Sequence, residues 1–343
     1  MNGKRWHLGL MVAEDRGLPP RQLLALCRQA EALGYDSFWL WEGCGREVFS
    51  DLTYLALHTR TIGLGAGVID VYSRSPTLLA QTAASLDDLS GGRLALALAA
   101  TGVVDFDLVE HWHGLPHQSP QRRLREVVAV LRLALSGQRV DYQGRVFRLG
   151  GFGLALSPLQ RHIPVLVAAL GPSAVSVAGE VGDGWLAPYL PPRALSFFRA
   201  QLAAGARRVG RNGNGLLVRP LVLACAAAEP QQALAAVRRH LAQYIGGSGN
   251  LYHLEIVQRY GFGRRASAIK HLWILGRWRQ ALSLVSDEMV DALAAVGTPD
   301  ECRRRLAERW AAYDVQPIVA LPWGAPIAVL RATLEALAPL LQH

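Results

Sequence analysis

Four cysteines in 343 residues, Cys27, Cys44, Cys225 and Cys302, are too scattered for a disulfide framework, and none forms the CxxC pair of a metal cage. No metal site is expected. The chain also lacks any unbroken apolar run near the ~20 residues a spanning helix requires. Its first stretch, MNGKRWHLGLMV, begins basic, but the apolar part is very short and runs into polar AEDRG, unlike a secretory signal. Together these absences predict a soluble, cytoplasmic protein with no membrane partner. Lysine is scarce beside arginine, and the net charge of +9 is dispersed over helical segments at Arg21, Arg28, Arg122, Arg238 and Arg303. A nucleic-acid binder would concentrate cations on one element and interleave aromatics, which only 259–279 faintly does, so no nucleic-acid partner is expected. A small anionic cofactor would be drawn by the same field. Walker, G-x-S-x-G and GxGxxG motifs are absent too, which lowers nucleotide hydrolysis and ordinary esterase chemistry in rank.

What the chain does have is apolar surface: 51% hydrophobic against 18% charged residues, enough for a large core and too much for disorder. Short apolar runs at 6–12, 37–41, 62–70, 93–100, 163–169, 185–187, 217–226 and 317–321 read as eight buried strands. Helical patterns separate them. One begins at Pro19-Pro20, repeats Leu23, Leu24, Leu26, Ala30 and Leu33, and stops at Gly34. Another begins TPDE, where Thr298 and Glu301 have the spacing of a capping box. VDYQGRVFRL reads as a surface hairpin. Strands alternating with helices imply parallel pairing and right-handed crossovers, hence an α/β chain folded as a (β/α)8 TIM barrel in a single domain over 1–343. Residues 230–296 hold more helix than one crossover needs, and they read as an insertion over the barrel mouth.

Such a barrel carries its reactive groups at the carboxyl ends of the strands, which here are Glu14, Glu42, Asp70 and Thr101. Glu42 follows apolar FWLW and would sit partly desolvated, suited to proton transfer or to a hydrogen bond with a ring; the simpler alternative is a carboxylate capping a helix. Asp70, an acceptor ahead of a turn, has ordinary turn chemistry as its simpler explanation. His111 and His113 could exchange protons, but an H-x-H pair with no third ligand is weak evidence for zinc. The glycines at Gly63, Gly65 and Gly67 would let a flat ligand or a neighbouring backbone approach closely. The turn AALGPSA leads into a helix whose first N–H groups suit a phosphate, although ordinary turn chemistry explains its Gly and Pro equally well.

GAGVIDVYSRSPTLLAQTAASLDDLSGGRLALALAATG, VEHWHG, VDYQGRVFRL, IPVLVAALGPSAVSVAGEVGDGW and VGTPDECRRRL together resemble the bacterial-luciferase-like superfamily, especially its deazaflavin-dependent branch. That group includes methylenetetrahydromethanopterin reductases and is built on the same barrel. The resemblance implies coenzyme F420 as cofactor, with reduced FMN as the alternative. It also implies a bulge with a non-prolyl cis peptide at Gly67-Val68, beside Ile69, behind the cofactor ring. By the same comparison Glu42 lies against the ring or tail, Thr101 and Gly102 at the ring-side turn, and Ala168, Ala169, Gly171 and Pro172 at the phosphate turn. Gly43 stands where several relatives carry a catalytic histidine, and the fourth strand is alanine-rich where theirs is rich in glycine.

The reading is therefore an F420-dependent oxidoreductase moving a hydride between the deazaflavin and a small organic substrate, with Glu42, His111 and His113 as catalytic candidates. Its alternatives are a reduced-FMN monooxygenase and a non-catalytic flavin-binding or interaction protein. Relatives commonly form homodimers, for which 78–89 offers an apolar face that could equally be core.

Overall fold

Strand runs with no polar face bury on both sides. The computed structural model describes residues 7–12, 18–43, 45–100, 113–116, 118–247 and 251–341. In it β1 (Gly9–Val12) and β2 (Ser37–Leu40) are buried at every position. Between them α1 (Pro20–Leu33) has proline in its first turn and ends at Gly34, whose left-handed backbone (φ 88°) lets its N–H reach the Glu31 carbonyl. Then follow α2 (Val48–His58), β3 (Gly63–Asp70), α3 (Pro76–Ser90), β4 (Leu94–Ala99) and α4 (Pro120–Leu135). The hairpin β5 (Val140–Gln143) and β6 (Arg148–Phe152) is antiparallel and stands outside the main sheet. Its turn is tied to α4 by Glu126, which accepts from the N–H groups of Arg145, Val146 and Phe147.

The second half runs β7 (Val165–Ala168), α5 (Pro172–Val181), β8 (Gly184–Pro188), α6 (Leu195–Arg208) and β9 (Leu217–Ala226). After β9 come α7 (Pro230–Gly246), α8 (Tyr252–Val257), α9 (Gly263–Ile274), α10 (Trp278–Ser283), α11 (Asp287–Leu293) and β10 (Ala294–Gly297). The chain closes with α12 (Pro299–Trp310), β11 (Ile318–Leu321) and α13 (Ile327–Leu337). Thr298 and Glu301 form the expected capping box at α12.

Eight parallel strands pair in the order β1-β2-β3-β4-β7-β8-β9-β11, and β11 returns to β1 with Gly9 opposite Ile318, so the sheet is a closed barrel. Closure puts every strand's carboxyl end on one rim. One element departs from the sequence reading. The last residues of the stretch expected to be helical insertion form β10, which pairs in parallel with Leu223 to Ala226 of β9. An Ala-Ala-Val-Gly run has no period of its own, and only the overhanging end of β9 makes it a strand.

Glycine serves mainly to bring protein against protein. A Cβ on Gly65 would overlap the Trp39 ring, and one on Gly67 would press on Ala97, so the side-chain-free face of β3 is filled by neighbours. The same device seats α5 on α6, where Cβ atoms on Gly179 and Gly205 would overlap the backbone carbonyls of Leu202 and Ser176. Gly205→Ala is expected to cost about 3 kcal/mol, because a backbone cannot move aside as a flexible side chain can. Gly153→Ala, facing open space, should change stability by no more than about 0.5 kcal/mol. Urea unfolding of both checks this, and equal midpoints would refute it. On the outside of the barrel, Leu78 and Leu89 of α3 are about half exposed, at 50% and 47%.

Candidate active site

On the carboxyl rim, β2 and β3 deliver two carboxylates of opposite circumstances. Glu42, two residues beyond β2, has both oxygens taken. Arg74 donates to Oε2 at 2.8 Å and also to Oε1, and the Ser73 hydroxyl reaches Oε2 at 3.1 Å. The Glu42 and Arg74 side chains are each only 13% exposed, and Arg74 pairs with Glu47 as well. Burial of Arg74 opposes its charge, but the two carboxylates outweigh that and raise its pKa.

Asp70, the last residue of β3, is buried and only half satisfied. Its Oδ1 accepts from the Tyr72 N–H at 3.0 Å, while Oδ2 has no partner among the described residues. Burial pushes its pKa up to about 6; the Tyr72 N–H pulls it down, and the negative charge of Glu42 adds to the rise. Arg123 lies over the Tyr72 ring, 4.4 Å from its centre, and donates to the Val71 carbonyl.

Immediately below Asp70 the register of β3 against β4 slips between Ala66 and Ile69, and the Gly67-Val68 peptide bond inside the slip is cis. Val68 is half-buried, whereas the Ile69 side chain belongs to the core. Across β4, the turn after β7 shares this rim. Ala168 ends the strand, the Ala169 carbonyl accepts from the Trp185 indole at 2.9 Å, and open space lies in front of Gly171, just before Pro172 starts α5 with no side-chain cap. The structure thus brings Glu42, the bulge and the β7 turn to one face. His113 is exposed. Glu14, Thr101, Gly102 and His111 lie outside the described residues.

Sequence reasoning missed an aromatic run over the ends of β2, β11 and β8. Trp41 stacks on Trp323 with ring centres 5.5 Å apart, and Trp323 lies 4.5 Å from His240 of α7. His240 is fully buried, and burial holds its pKa down to about 3, so the ring is neutral. Its Nδ1 accepts from the Trp323 backbone N–H at 3.1 Å. The ring hydrogen is therefore on Nε2 and is donated to the Tyr189 hydroxyl 2.7 Å away. Tyr189 follows β8 with a left-handed backbone (φ 44°) and meets Tyr244 edge-on at 4.7 Å. The available signal for His240 was its place on the buried stripe of α7, with Ala233, Ala236, Val237 and Tyr244.

Among the described residues, buried Trp41 Nε1, Trp323 Nε1 and Tyr244 Oη have no partner, nor has Asp70 Oδ2. Each such group costs about 1–3 kcal/mol unless something satisfies it. The two indole donors sit on stacked rings at the ends of β2 and β11, and Asp70 ends β3 on the same rim; unsatisfied donors and an acceptor there suit a flat ring that carries heteroatoms. A 530 Å³ cleft lined by Arg132, Gln138, Arg161 and His162 lies instead at the amino end of β7, away from this rim.

A closed parallel barrel with its polar groups on the carboxyl rim is the architecture of an α/β-barrel enzyme. Residues 6–315 match the family described as luciferase-like monooxygenase, and the chain belongs to that family: it is a luciferase-like oxidoreductase. Among its relatives, the 5,10-methylenetetrahydromethanopterin reductase of Archaeoglobus fulgidus is 30% identical over 301 residues, covering 86% of this chain and 88% of the reductase. The coenzyme F420-dependent tetrahydromethanopterin reductase of Methanopyrus kandleri superposes with a TM-score of 0.82 over 98% of this chain and 99% of its own, at 22% identity. The oxygenating constituent of 3,6-diketocamphane monooxygenase of Pseudomonas putida, in complex with FMN, has a TM-score of 0.69 over 98% and 99%, at 16% identity. These two structural likenesses establish the fold alone.

Proposed function

We propose that the protein is a coenzyme F420-dependent oxidoreductase acting on a small organic substrate. The observation that carries this reading is Asp70: a buried carboxyl with one free oxygen and a pKa near 6, at the end of the barrel strand that bears the bulge. Such a group holds or releases a proton near neutral pH, which complements a hydride transfer. The 30% identity to a methylenetetrahydromethanopterin reductase, a group the sequence resemblance places in the deazaflavin-dependent branch, supports the deazaflavin over FMN. When bound, the deazaflavin would supply the hydride.

The chain's own residues would orient, shield and protonate. Gly67, Val68 and Ile69 would back the ring through the main chain, with Thr101 and Gly102 at its side. Ala168, Ala169, Gly171 and Pro172 would hold a phosphate at the start of α5. Glu42, fixed by Arg74, would present the ion pair to the ring. Asp70 would manage the proton, with His111 and His113 as further candidates. A homodimer through α3 would cover Leu78 and Leu89.

Calorimetric titration with F420 and with FMN tests this reading. Micromolar-range binding of F420 is expected; binding of FMN with none of F420 would replace it with the reduced-FMN monooxygenase, which consumes oxygen when a flavin reductase is added.

A further inference from the structure

A second cleft, of 800 Å³, opens between the turn after β8, the turn joining α8 to α9, and α11. Arg193, Arg264 and Arg265 line it, with Glu288 the one lining carboxylate among the described residues, so positive charge is in excess there. Arg193 is fastened to the opposite wall by donating to the Tyr260 carbonyl. Arg264 and Arg265 are exposed and meet no carboxylate or carbonyl among the described residues, whereas Arg46, Arg74, Arg125, Arg132 and Arg219 each pair with an acid. Glu288 accepts from the Ser286 hydroxyl. The local chain builds the arrangement: Gly261 turns with φ 98°, which glycine adopts readily, and sets Arg264 and Arg265 in the first turn of α9. Guanidinium groups that outnumber the carboxylate beside them repel one another, and a planar fork of N–H donors matches phosphate and carboxylate oxygens.

We propose that this cleft is a binding site for a multiply charged oxyanion, phosphate or paired carboxylates, separate from the phosphate turn after β7. The anion could come from the acidic tail of the cofactor or from an acidic organic ligand; only the first source rests on the F420 reading. The test is calorimetric titration of the full-length protein with inorganic pyrophosphate. The Arg264→Gln/Arg265→Gln variant is expected to bind at least tenfold more weakly than the wild type, with thermal unfolding unchanged because both side chains are exposed. Arg303→Gln/Arg305→Gln, which removes the same charge from α12, should leave binding unaltered. No binding to the wild type, equal binding by the cleft variant, or equal loss in the α12 variant would each overturn the site; the last would assign the attraction to the general positive field. Parallel titrations with F420 and with its tail-free deazaflavin riboside separate the sources. Loss confined to F420 in the cleft variant identifies the tail, and no loss with either identifies a separate acidic ligand. Failure of F420 to bind at all defeats the cofactor reading while leaving the pyrophosphate result standing.

Discussion

Asp70→Asn is expected to make the protein more stable and less active. The folded state raises this carboxyl from its ordinary 3.8 to about 6, chiefly by burial. Below about pH 4 the group is protonated both folded and unfolded, and burying it carries no charge penalty. Between pH 4 and 6 the unfolded chain ionises first, so stability falls as pH rises, and the full penalty is present above about pH 6. The raised pKa corresponds to about 3 kcal/mol, an upper bound on what removing the charge recovers. Asparagine keeps an acceptor for the Tyr72 N–H but places an amide where Oδ2 had no partner, so a gain of about 1–2 kcal/mol is expected at pH 8 and none at pH 4. Turnover of the best substrate from a redox screen should fall about 10²-fold or more, with loss of the rate inflection near pH 6. Urea unfolding at the two pH values and a pH–rate profile check both halves. A variant that is no more stable at pH 8, or that keeps wild-type turnover, sinks the assignment.

Arg74→Gln carries the second large effect. Arg74 joins Glu42 and Glu47, donates to the Ser73 hydroxyl and lies over the Phe49 ring, 4.9 Å from its centre. Without it Glu42 and Glu47 lose the cation they share, and Glu42 is largely buried. Breaking a buried pair from one side costs about 3–5 kcal/mol; exposure of Glu47 places this case at the lower end, about 3 kcal/mol. Glu42 also acts on Asp70, so losing its counter-charge should move the pH–rate inflection upward. The double variant Glu42→Gln/Arg74→Gln should be less destabilised than Arg74→Gln alone, because it removes the stranded charge. Denaturation at pH 7.5 decides this, and additive losses would show that the pair is not coupled.

These effects originate in different ranges of the chain. The buried strands, the proline starts and glycine stop of α1, the capping box at Thr298 and the hairpin at Gln143-Gly144 depend on neighbours within a few residues, so the amino-acid pattern determines them. Eight strands alternating with helices likewise lead to a parallel barrel, and a barrel implies a rim at Glu42 and Asp70. Which carboxylate holds a proton could not be read there. The apolar FWLW points to Glu42, yet Arg74, 32 residues away, takes up both its oxygens, while Asp70 is buried with Oδ2 unpaired among the described residues. His240 and Trp323 are 83 residues apart, and Tyr189 and His240 are 51. Their hydrogen bonds, the tautomer these impose and the strand β10 exist only because closure brings separate segments together. Local pattern decided the secondary structure, β10 excepted, and the location of the rim. Electrostatics and hydrogen-bond accounting, which depend on distances in space and on exclusion of water, were decided by the tertiary structure alone.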